Sequence, residues 1–375
     1  MFKKYNWRFY DFRLVIFVII ASVMGMYAIG SANENYQGRQ IMGMGIGIVL
    51  MLVISVIDYT KILKLYWVIY AFMAVLLFVT LYTEIGDSSN NAQRWIQIGS
   101  FTFQPSEISK LLLILFFAQF IMKHKSDINK PWLLLIIVAL FAVPAYLILK
   151  QPDLSTAIVI ATILCTLIFV GGISWKYVVA AFAIVIPVGA IFIFLAIQPD
   201  STLLASHQQE RILAYLYPEE YPDTAWQQLY SVKAIASGQL DGKGYKNNEV
   251  TSLKNGSYIL EPHTDFIFAV IGEEFGFKGS LAVIVVLFSI VLECLYVAYK
   301  ARDLAGRLVA AGVAAWIGFQ TFFNIGVATL LLPNTGLPLP FISYGLTSLL
   351  SLYMGIGFVL NIKLQQRKKR EGIAA

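Results

Sequence analysis

About ten uninterrupted apolar runs, each of about 15 to 25 residues, constrain most strongly what this chain can fold into. A helix of about 20 residues crosses the core of a bilayer, and lipid leaves only helices and closed barrels as spanning structures. The runs lack the alternation of barrel strands. They predict an all-α polytopic membrane protein, a bundle of about ten transmembrane helices near residues 14–30, 41–57, 65–82, 108–122, 132–149, 154–171, 177–197, 279–299, 308–332 and 346–362.

Composition excludes a soluble fold and gives no sign of redox or metal chemistry. Hydrophobic residues make up 58% of the 375 residues and charged residues 13%, against about 45–50% and 25% in globular chains. Cys165 and Cys294 both lie inside apolar runs, so they cannot form a disulfide framework. His124, His207 and His263 match no zinc-binding spacing. We therefore expect no metal-binding residues and no tightly bound cofactor.

Positive charges divide unequally between the two sides that the predicted spans define. Eighteen of the 28 Lys and Arg residues fall on the side that holds both termini, and ten fall on the other. Since cytoplasmic loops carry the excess of positive charge, both termini are expected in the cytoplasm, with 363–375 as a basic cytoplasmic tail. The net charge of +6 is thus a signal of topology and implies no nucleic-acid partner. A cleavable leader ending near Ala32 is the alternative to a retained first span.

Three long polar or irregular segments face the outer side. Segments 83–107 and 198–262 exceed the roughly 15 residues beyond which loops are usually functional or disordered. The large extracytoplasmic loop 198–262 has helical patterns over 208–217 and 226–236, so we expect an ordered cap, followed by a short helix over 264–276. Segment 333–345 holds three prolines and two glycines. It is too apolar for an exposed loop and too broken for a helix, which predicts that it lines the outer mouth of the bundle.

Ionisable residues at the outer membrane edge are the candidates for chemistry, because each is costly to place there. Glu107 and Lys110 stand one turn apart at the start of the fourth span, where Lys110 would meet an anionic head group. The alternative is a self-neutralising ion pair that stabilises the bundle. Lys150 and Asp153 share a short turn, whose alternative role is a local salt bridge. Arg94 is either a substrate contact or an interfacial anchor.

The most informative motif is Glu261-Pro262-His263-Thr264-Asp265, which directly precedes an apolar helix. Asp265 stands between the outer solvent and the bundle, where a general base has to stand to remove a hydroxyl proton. The alternative is that Thr264 or Asp265 caps the helix and satisfies its free backbone N–H groups. The helix dipole would lower the pKa of Asp265 and partial burial would raise it, and the sequence leaves that balance open.

Four further residues complete the set of candidate substrate contacts. Arg211 and Lys243 lie in the cap, where each is either a ligand for an anionic substrate or a solvated surface charge. His263 precedes Asp265 and either assists catalysis or makes a structural hydrogen bond. Ser343 lies in the irregular 333–345 segment, at the expected mouth of the bundle.

Taken together, these motifs resemble the SEDS family of shape, elongation, division and sporulation proteins. The resemblance extends over nearly the whole chain, as a single membrane domain over 1–375. It rests on about ten spans and on Ala92-Gln93-Arg94-Trp95, Gln104-Pro105-Ser106-Glu107, Lys150-Gln151-Pro152-Asp153, Gly242-Lys243-Gly244, His263-Thr264-Asp265-Phe266-Ile267-Phe268-Ala269 and Gly336-Leu337-Pro338-Leu339-Pro340-Phe341-Ile342-Ser343-Tyr344-Gly345. The family usually continues the last motif with glycine and serine, where Leu346 and Thr347 stand here. That departure bears on the branch of the family more than on the activity.

The resemblance implies a peptidoglycan glycosyltransferase that polymerises lipid II into glycan strands at the outer face of the bacterial cytoplasmic membrane. Asp265 matches the family's essential aspartate in the large extracytoplasmic loop. The resemblance also implies a class B penicillin-binding protein as the transpeptidase partner, other cell-wall elongation or division proteins, and at most an exchangeable divalent cation, Mg²⁺ or Mn²⁺. The elongation branch is favoured over division and sporulation branches with the same activity.

A mechanism follows from this resemblance as a hypothesis. Asp265 removes the proton of the 4-hydroxyl of the acceptor's N-acetylglucosamine, which attacks the anomeric carbon of the growing chain's N-acetylmuramic acid. Undecaprenyl pyrophosphate leaves, and an α-linked donor gives a β-1,4 bond with inversion. Cations at head-group depth stabilise the departing pyrophosphate, and the candidates are Lys110, Lys150, Arg94 and Arg211.

Two functions of other classes stay open on the sequence alone. A lipid II flippase is expected to carry ionisable residues near the bilayer midplane and to show repeat symmetry. Here the ionisable residues cluster at the outer edge, apart from Glu293, and no repeat is visible. In a non-catalytic scaffold for a transpeptidase, the outer carboxylate and cations would be incidental. Loss of function on changing Asp265, with partner binding intact, would count against a scaffold.

Overall fold

A computed structural model describes residues 10–82, 86–87, 94–98, 101–198, 206–246 and 261–366. The α-helices in these ranges are α1 (Phe12–Ala32), α2 (Glu34–Ser55), α3 (Tyr59–Lys64), α4 (Tyr66–Tyr82), α5 (Pro105–Lys123), α6 (Pro131–Lys150), α7 (Leu154–Gly171), α8 (Trp175–Ala196), α9 (Ser206–Leu216), α10 (Pro222–Ser237), α11 (Ile267–Lys300), α12 (Leu304–Ala328) and α13 (Leu346–Leu364). Strands β1 (Gly86–Asp87), β2 (Trp95–Ile98) and β3 (Phe101–Phe103) pair in that order as an antiparallel sheet.

The predicted helical membrane bundle is confirmed over these ranges. Nine of their helices are long and apolar enough to cross a membrane, and the 17-residue α4 is a shorter apolar helix. Each of the ten overlaps one predicted span, and the helices of the cap, α9 and α10, overlap the two helical patterns expected there. The small sheet within 83–107 has no counterpart among the predictions, because strands of two to four residues show no recognisable periodicity.

Helices α5, α12 and α13 form the centre of the bundle. Of their most apolar stretches, 83%, 67% and 83% of the residues are buried, whereas α8 buries none. Small residues on α12 allow close packing: a Cβ on Gly312 would lie 2.8 Å from the side chain of Ile114 on α5. The candidate residues at the start of α5 therefore stand on a central and well-supported helix.

A break in α11 ties the cap to the bundle. Gly276, with φ 61° and ψ −158°, interrupts the helix, so the expected helix over 264–276 is the first part of α11 and begins at Ile267. Two helical hydrogen bonds are lost at this break, and four backbone bonds to the cap replace them. From the cap, the N–H of Lys243 donates to the carbonyl of Glu273 at 2.9 Å and the N–H of Gly244 donates to that of Glu274 at 3.0 Å. In the other direction, the N–H of Phe277 donates to the carbonyl of Gln239 at 2.8 Å and the N–H of Lys278 donates to that of Leu240 at 3.2 Å. We call this set of four bonds the cap clasp.

The C-terminal tail begins later than predicted. Helix α13 extends to Leu364, and Lys363 is buried in the bundle, where its Nζ donates to the carboxylate of Asp11. A buried cation needs a carboxylate partner, and no sequence pattern pairs two residues that are 352 positions apart. The rest of the tail (367–375), parts of the large loop (199–205 and 247–260) and the Ala92-Gln93 motif lie outside the described residues.

Candidate active site

A polar cavity of about 590 Å³ opens at the end of the bundle opposite the N-terminal end of α1 and the C-terminal end of α13. Its wall is built by the first turns of α5 and α7, by cap residues, by segment 261–266 and by parts of 335–348. The charged residues in this wall are Arg94, Glu107, Asp153, Arg211, Glu261 and Asp265. We call this space the polar cavity; it combines acid–base groups with cations.

The backbone around Asp265 is held by α12 and by the irregular 333–345 segment. Asn324 of α12 donates through Nδ2 to the carbonyl of Asp265 and to that of Leu337, both at 2.7 Å. Ser343 donates through Oγ to the carbonyl of Thr264 at 2.6 Å and accepts from the N–H of Leu339 at 2.7 Å. These bonds fix the position from which the Asp265 side chain reaches the cavity.

The side chain of Asp265 is not used to cap a helix. The N-cap residue of α11, directly before Ile267, is Phe266, and its side chain makes no capping bond. The Thr264 hydroxyl donates to the carbonyl of Glu261 at 2.9 Å. The capping alternative is therefore wrong. Gly336, with φ 72°, lies against the carboxylate, and a Cβ there would be 3.3 Å from Oδ2 of Asp265. A glycine lets this backbone approach the carboxylate closely.

Burial raises the pKa of the Asp265 carboxyl to about 6, since most of its surroundings are protein. The guanidinium of Arg211 lowers that pKa, whereas Glu261 and Asp153 raise it. Burial also lowers the pKa of Arg211, and the charge of Asp265 opposes that shift. At neutral pH Asp265 is thus mostly ionised, yet it binds a proton more tightly than an ordinary aspartate. Both properties suit a general base.

Arg94 and Asp153 organise the turn between α6 and α7. Arg94 donates through Nε to the carbonyl of Gln151 at 2.7 Å and through Nη2 to that of Pro152 at 2.5 Å. Asp153 caps α7 through bonds to the N–H and hydroxyl of Thr156 at 3.0 and 2.8 Å. The expected pairing of Asp153 with Lys150 is therefore replaced by a helix cap. Both Arg94 and Asp153 still face the polar cavity.

Glu107 and Lys110 form the expected ion pair, deep in the wall. Lys110 is fully buried and its Nζ donates to Glu107 Oε1 at 2.6 Å and to Gln320 Oε1 at 3.0 Å. Gln320 in turn donates to the carbonyl of Pro338 at 2.8 Å. Glu107 lines the polar cavity, and its Oε2 is buried with no hydrogen-bond partner among the described residues. Lys110 therefore has a structural role, and Glu107 retains one acceptor, Oε2, at the cavity wall.

Three of the predicted cationic contacts do not line the polar cavity: the buried Lys110, described above, and also Lys150 and Lys243. Lys150 is exposed at the end of α6, with Nζ 5.7 Å from the ring centroid of Tyr146. Lys243 pairs through Nζ with Oε1 of the buried Glu273 at 2.9 Å, beside the cap clasp. Lys243 is therefore neither a solvated charge nor part of the cavity wall.

His263 and Ser343 act around the cavity and do not line it. His263 is buried, stacks on Tyr36 with 4.4 Å between ring centroids, and its carbonyl accepts from the N–H of Tyr344 at 2.9 Å. Burial lowers the pKa of its imidazole, so the ring is neutral at pH 7. The hydroxyl of Ser343 hydrogen-bonds to the backbone groups of Thr264 and Leu339. Both residues position segment 261–265.

Gln320 and Asn324 are site residues that the sequence analysis missed. They lie one helical turn apart on α12, are buried, and hold the backbone of the cavity wall. The available signal was a pair of amides inside an apolar span, where a polar group is costly unless it has a partner. The search for costly membrane-edge groups concentrates on ionisable residues, and uncharged amides inside a span escape it.

The described residues do not fit a dedicated divalent-cation site. They contain no group of three His, Cys, Asp or Glu side chains that would hold an ion. Asp153 uses both carboxylate oxygens in hydrogen bonds, and Glu107 pairs with Lys110. No catalytic step is therefore assigned to a metal held by the protein.

Comparison with known proteins extends over nearly the whole chain. The profile of a family described as cell cycle protein, which bears the names FtsW, RodA and SpoVE, matches residues 6–368. Peptidoglycan glycosyltransferase MrdB of Escherichia coli (strain K12) is 30% identical over 359 residues, which cover 94% of this chain and 92% of that protein.

Solved structures share the fold. A chain of a peptidoglycan synthase complex, in work on how polymerization and crosslinking are coordinated, matches with a TM-score of 0.78 and 29% identity, over 94% of this chain and 97% of that one. The rod shape determining protein RodA of Thermus thermophilus matches with a TM-score of 0.70 and 26% identity, over 97% of this chain and 99% of that one. This chain therefore belongs to the FtsW, RodA and SpoVE family, the SEDS family that its motifs resemble.

Proposed function

We propose that this chain is a peptidoglycan glycosyltransferase that polymerises lipid II at the outer face of the bacterial cytoplasmic membrane, with Asp265 as its general base. One observation carries the proposal: the Asp265 carboxylate faces a polar cavity at one end of a membrane-spanning bundle, together with Arg211 and Arg94. The name of the E. coli relative, peptidoglycan glycosyltransferase, supports the reaction class.

The proposed step is an inverting displacement. Asp265 takes the proton of the 4-hydroxyl of the acceptor's N-acetylglucosamine, and that oxygen forms a bond to the anomeric carbon of the chain's N-acetylmuramic acid. The bond between this carbon and the phosphate oxygen breaks, and its electron pair leaves with undecaprenyl pyrophosphate. An α-linked donor thus becomes a β-1,4-linked product. Arg211 and Arg94 stabilise the negative charge that develops on the pyrophosphate.

Glu107 is proposed to bind the substrate directly. Its Oε2 is a buried acceptor at the cavity wall, and the bond of Oε1 to Lys110 fixes its direction. A buried acceptor without a partner destabilises the protein unless a ligand or water supplies a donor. Sugar hydroxyls and acetamido N–H groups are suitable donors. Lys110 is then a positioning residue, since it is fully buried behind Glu107.

The proposed orientation places both termini in the cytoplasm and the polar cavity outside. The Lys and Arg asymmetry supports this orientation. The observed helix order is compatible with it, because α1 begins and α13 ends at the face opposite the cavity. Lipid II presented on the outer leaflet would then reach the cavity from the membrane.

The proposed partner is a class B penicillin-binding protein that crosslinks the new strands. The match to a chain of a peptidoglycan synthase complex supports such a partner. We also propose the elongation branch of the family, with other elongation proteins, because the T. thermophilus match is named a rod shape determining protein. A divalent cation, Mg²⁺ or Mn²⁺, is proposed as an exchangeable ion that enters with the substrate pyrophosphate.

The proposal is tested by assaying lipid II polymerisation with purified wild type and Asp265→Asn, each with its transpeptidase partner and with other transglycosylases inhibited. We expect glycan ladders from the wild type and a rate at least about 100-fold lower from the variant, since a general base contributes about 10²–10⁴-fold. Asp223→Asn is the matched control, because Asp223 is an exposed acid at the start of α10 and does not line the cavity.

Near-wild-type ladders from Asp265→Asn would contradict the role of Asp265. Ladders from neither protein, with lipid II binding demonstrated, would contradict the enzyme assignment and favour a flippase or a scaffold. Folding of the variant is checked by its elution in detergent and by retention of the partner.

A further inference from the structure

An apolar groove of about 650 Å³ lies between α4 and α6. Its walls are formed by Ala74, Val75 and Phe78 of α4 and by Ala142, Val143 and Tyr146 of α6. The groove is shallow and open along one side. Almost no polar surface lines this space, which we call the α4–α6 groove, so it suits a hydrocarbon ligand.

A hydrogen bond fixes the inner end of the groove. Pro144 lies inside α6 and has no N–H group to donate to the carbonyl of Leu140, four residues earlier. The hydroxyl of Tyr70 on α4 donates to that carbonyl instead, at 2.8 Å. The proline therefore creates a free acceptor in the membrane, and the tyrosine uses it to join the two helices.

A second bond joins the same helices at the outer end. Gln151, just after α6, is buried and donates through Nε2 to the carbonyl of Leu77 on α4 at 3.2 Å. Between the two bonds, Ala74 and Ala142 keep the helices from filling the space, while Phe78 and Tyr146 are 52% and 54% exposed along its rim. The groove is thus held open by a fixed frame.

The outer end of the groove adjoins the polar cavity. Gln151 donates its N–H to the carbonyl of Leu147, a groove residue, and its own carbonyl accepts from Nε of Arg94 at 2.7 Å. Arg94 lines the polar cavity. Lys150, which does not reach that cavity, lies over the ring of Tyr146 at the groove's outer end. The α4–α6 groove, the Lys150 cation and the polar cavity thus follow one another in that order.

We propose that the α4–α6 groove binds the polyprenyl chain of the lipid-linked substrate and that Lys150 meets its pyrophosphate at the outer end. The proposal deepens the proposed function and rests on it. A polyprenyl pyrophosphate sugar presents an apolar chain, an anion and a polar sugar in this same order. A phospholipid carries a single phosphate and no sugar, so it presents less negative charge to Lys150 and nothing that extends past Arg94 into the polar cavity.

Binding is tested with the full-length protein in vesicles of phosphatidylglycerol and phosphatidylethanolamine that contain a photoreactive polyprenyl pyrophosphate. We expect labelled peptides to map to 74–78 and 142–147, and unlabelled polyprenyl pyrophosphate to compete. A phosphatidylglycerol with the same photoreactive group is the comparison. Equal labelling of these peptides by that phospholipid would overturn the proposal, since the groove would then hold ordinary bilayer lipid.

Two valines on α6 give a matched pair of variants. Val143 lines the groove and is 44% exposed, whereas Val138 is 58% exposed and does not line it. Val143→Trp should reduce labelling by polyprenyl pyrophosphate about tenfold, and Val138→Trp should leave it unchanged. Ala74→Phe, from the opposite wall, repeats the test in case Val143→Trp fails to fold. Equal labelling of Val143→Trp, Ala74→Phe and wild type would contradict the proposal.

Charge is tested by Lys150→Gln. We expect weaker labelling by polyprenyl pyrophosphate and unchanged labelling by the neutral polyprenol, and an equal effect on both probes would contradict the role of Lys150. The labelling readout needs no turnover, so the two proposals fail separately. If the wild type polymerises lipid II and Val143→Trp has the same kcat/KM, the groove proposal is contradicted while the glycosyltransferase proposal stands.

Discussion

Asp265 is placed where its charged form is costly, and its neighbours offset only part of that cost. Its carboxylate is surrounded mostly by protein, and only Arg211 among the groups that shift its pKa favours the charged form. A structural aspartate would normally use its oxygens for a cap or a salt bridge, as Asp153 does at the start of α7. The position of Asp265 is better explained by chemistry than by stability.

Thermal stability provides a test at this residue. The pKa of Asp265 is about 6 in the folded protein, against 3.8 for the ordinary group, so the folded state holds the proton more tightly. Its ionisation therefore lowers the free energy of unfolding as the pH rises from about 4 to above 6, by on the order of 1–3 kcal/mol. We expect Asp265→Asn to raise the Tm at pH 7.5, and the gain to be about half as large at pH 5.

Scanning fluorimetry in detergent at the two pH values measures both differences. Asp223→Asn serves as the control: it removes only a favourable charge in the first turn of α10, so it should not raise the Tm at either pH. A lower Tm for Asp265→Asn at pH 7.5 would show that the carboxylate stabilises the fold, which contradicts this account of its environment.

At the scale of elements, the cap clasp connects the large loop to the helix that follows Asp265. The N–H groups of Lys243 and Gly244 satisfy the carbonyls that the break at Gly276 leaves without their helical partners. The Gly242-Lys243-Gly244 motif therefore has a structural explanation, and its lysine, one of the candidate ligands, pairs with Glu273. Docking of the cap and placement of Asp265 are coupled through the first part of α11.

Alanine substitutions at the two glycines of this motif distinguish the effect of a steric clash from the effect of backbone strain. Gly242 and Gly244 both have positive φ, at 81° and 98°, but a Cβ on Gly242 would lie 2.1 Å from the carbonyl oxygen of Glu274, whereas one on Gly244 would contact nothing within 4 Å. We expect Gly242→Ala to open the clasp and Gly244→Ala to cost only about 1–2 kcal/mol of strain. Hydrogen exchange of the Phe277 and Lys278 amides should be much faster in Gly242→Ala than in Gly244→Ala. Equal exchange in the two variants would contradict the clasp.

Elements were predictable from the sequence to a greater extent than contacts were. The ten apolar runs predict the spanning helices because lipid permits few alternatives. The spacing of Glu107 and Lys110 predicts their ion pair. The partners of Lys243 and Lys363 were not predictable, since Glu273 and Asp11 are distant in sequence. The short strands carry too few residues to show a pattern.

At the scale of the whole molecule, the account depends on which end of the bundle faces outward. The cap and the polar cavity lie at the same end, and the short connections 124–130 and 172–174 lie at the other. A reaction that uses lipid II on the outer leaflet requires the cavity to be outside. Topology is therefore a condition of the proposed function.

Cysteine labelling checks this orientation. The chain has two cysteines, Cys165 and Cys294, which are first replaced by serine. A cysteine is then introduced at the exposed Asp223 of the cap or at the exposed Ser126 of the opposite end. We expect a membrane-impermeant maleimide to label Asp223→Cys in intact spheroplasts and to label Ser126→Cys only after permeabilisation. The reverse pattern would place the cavity in the cytoplasm and contradict the proposed function.

The central claim is that Asp265 is a general base with a raised pKa. It is tested most directly by measuring kcat/KM for lipid II polymerisation between pH 4.5 and pH 8 in wild type and Arg211→Gln. The pH dependence of kcat/KM reports the pKa values of the free enzyme. We predict a wild-type rate that falls about tenfold per pH unit below about pH 6, following the pKa of Asp265. Arg211 lowers that pKa, so its removal should move the acid limb to higher pH. Lys233→Gln, an exposed cation of the cap, should leave the limb in place. A rate that stays constant down to pH 4.5, or an acid limb that Arg211→Gln does not move, would contradict the account.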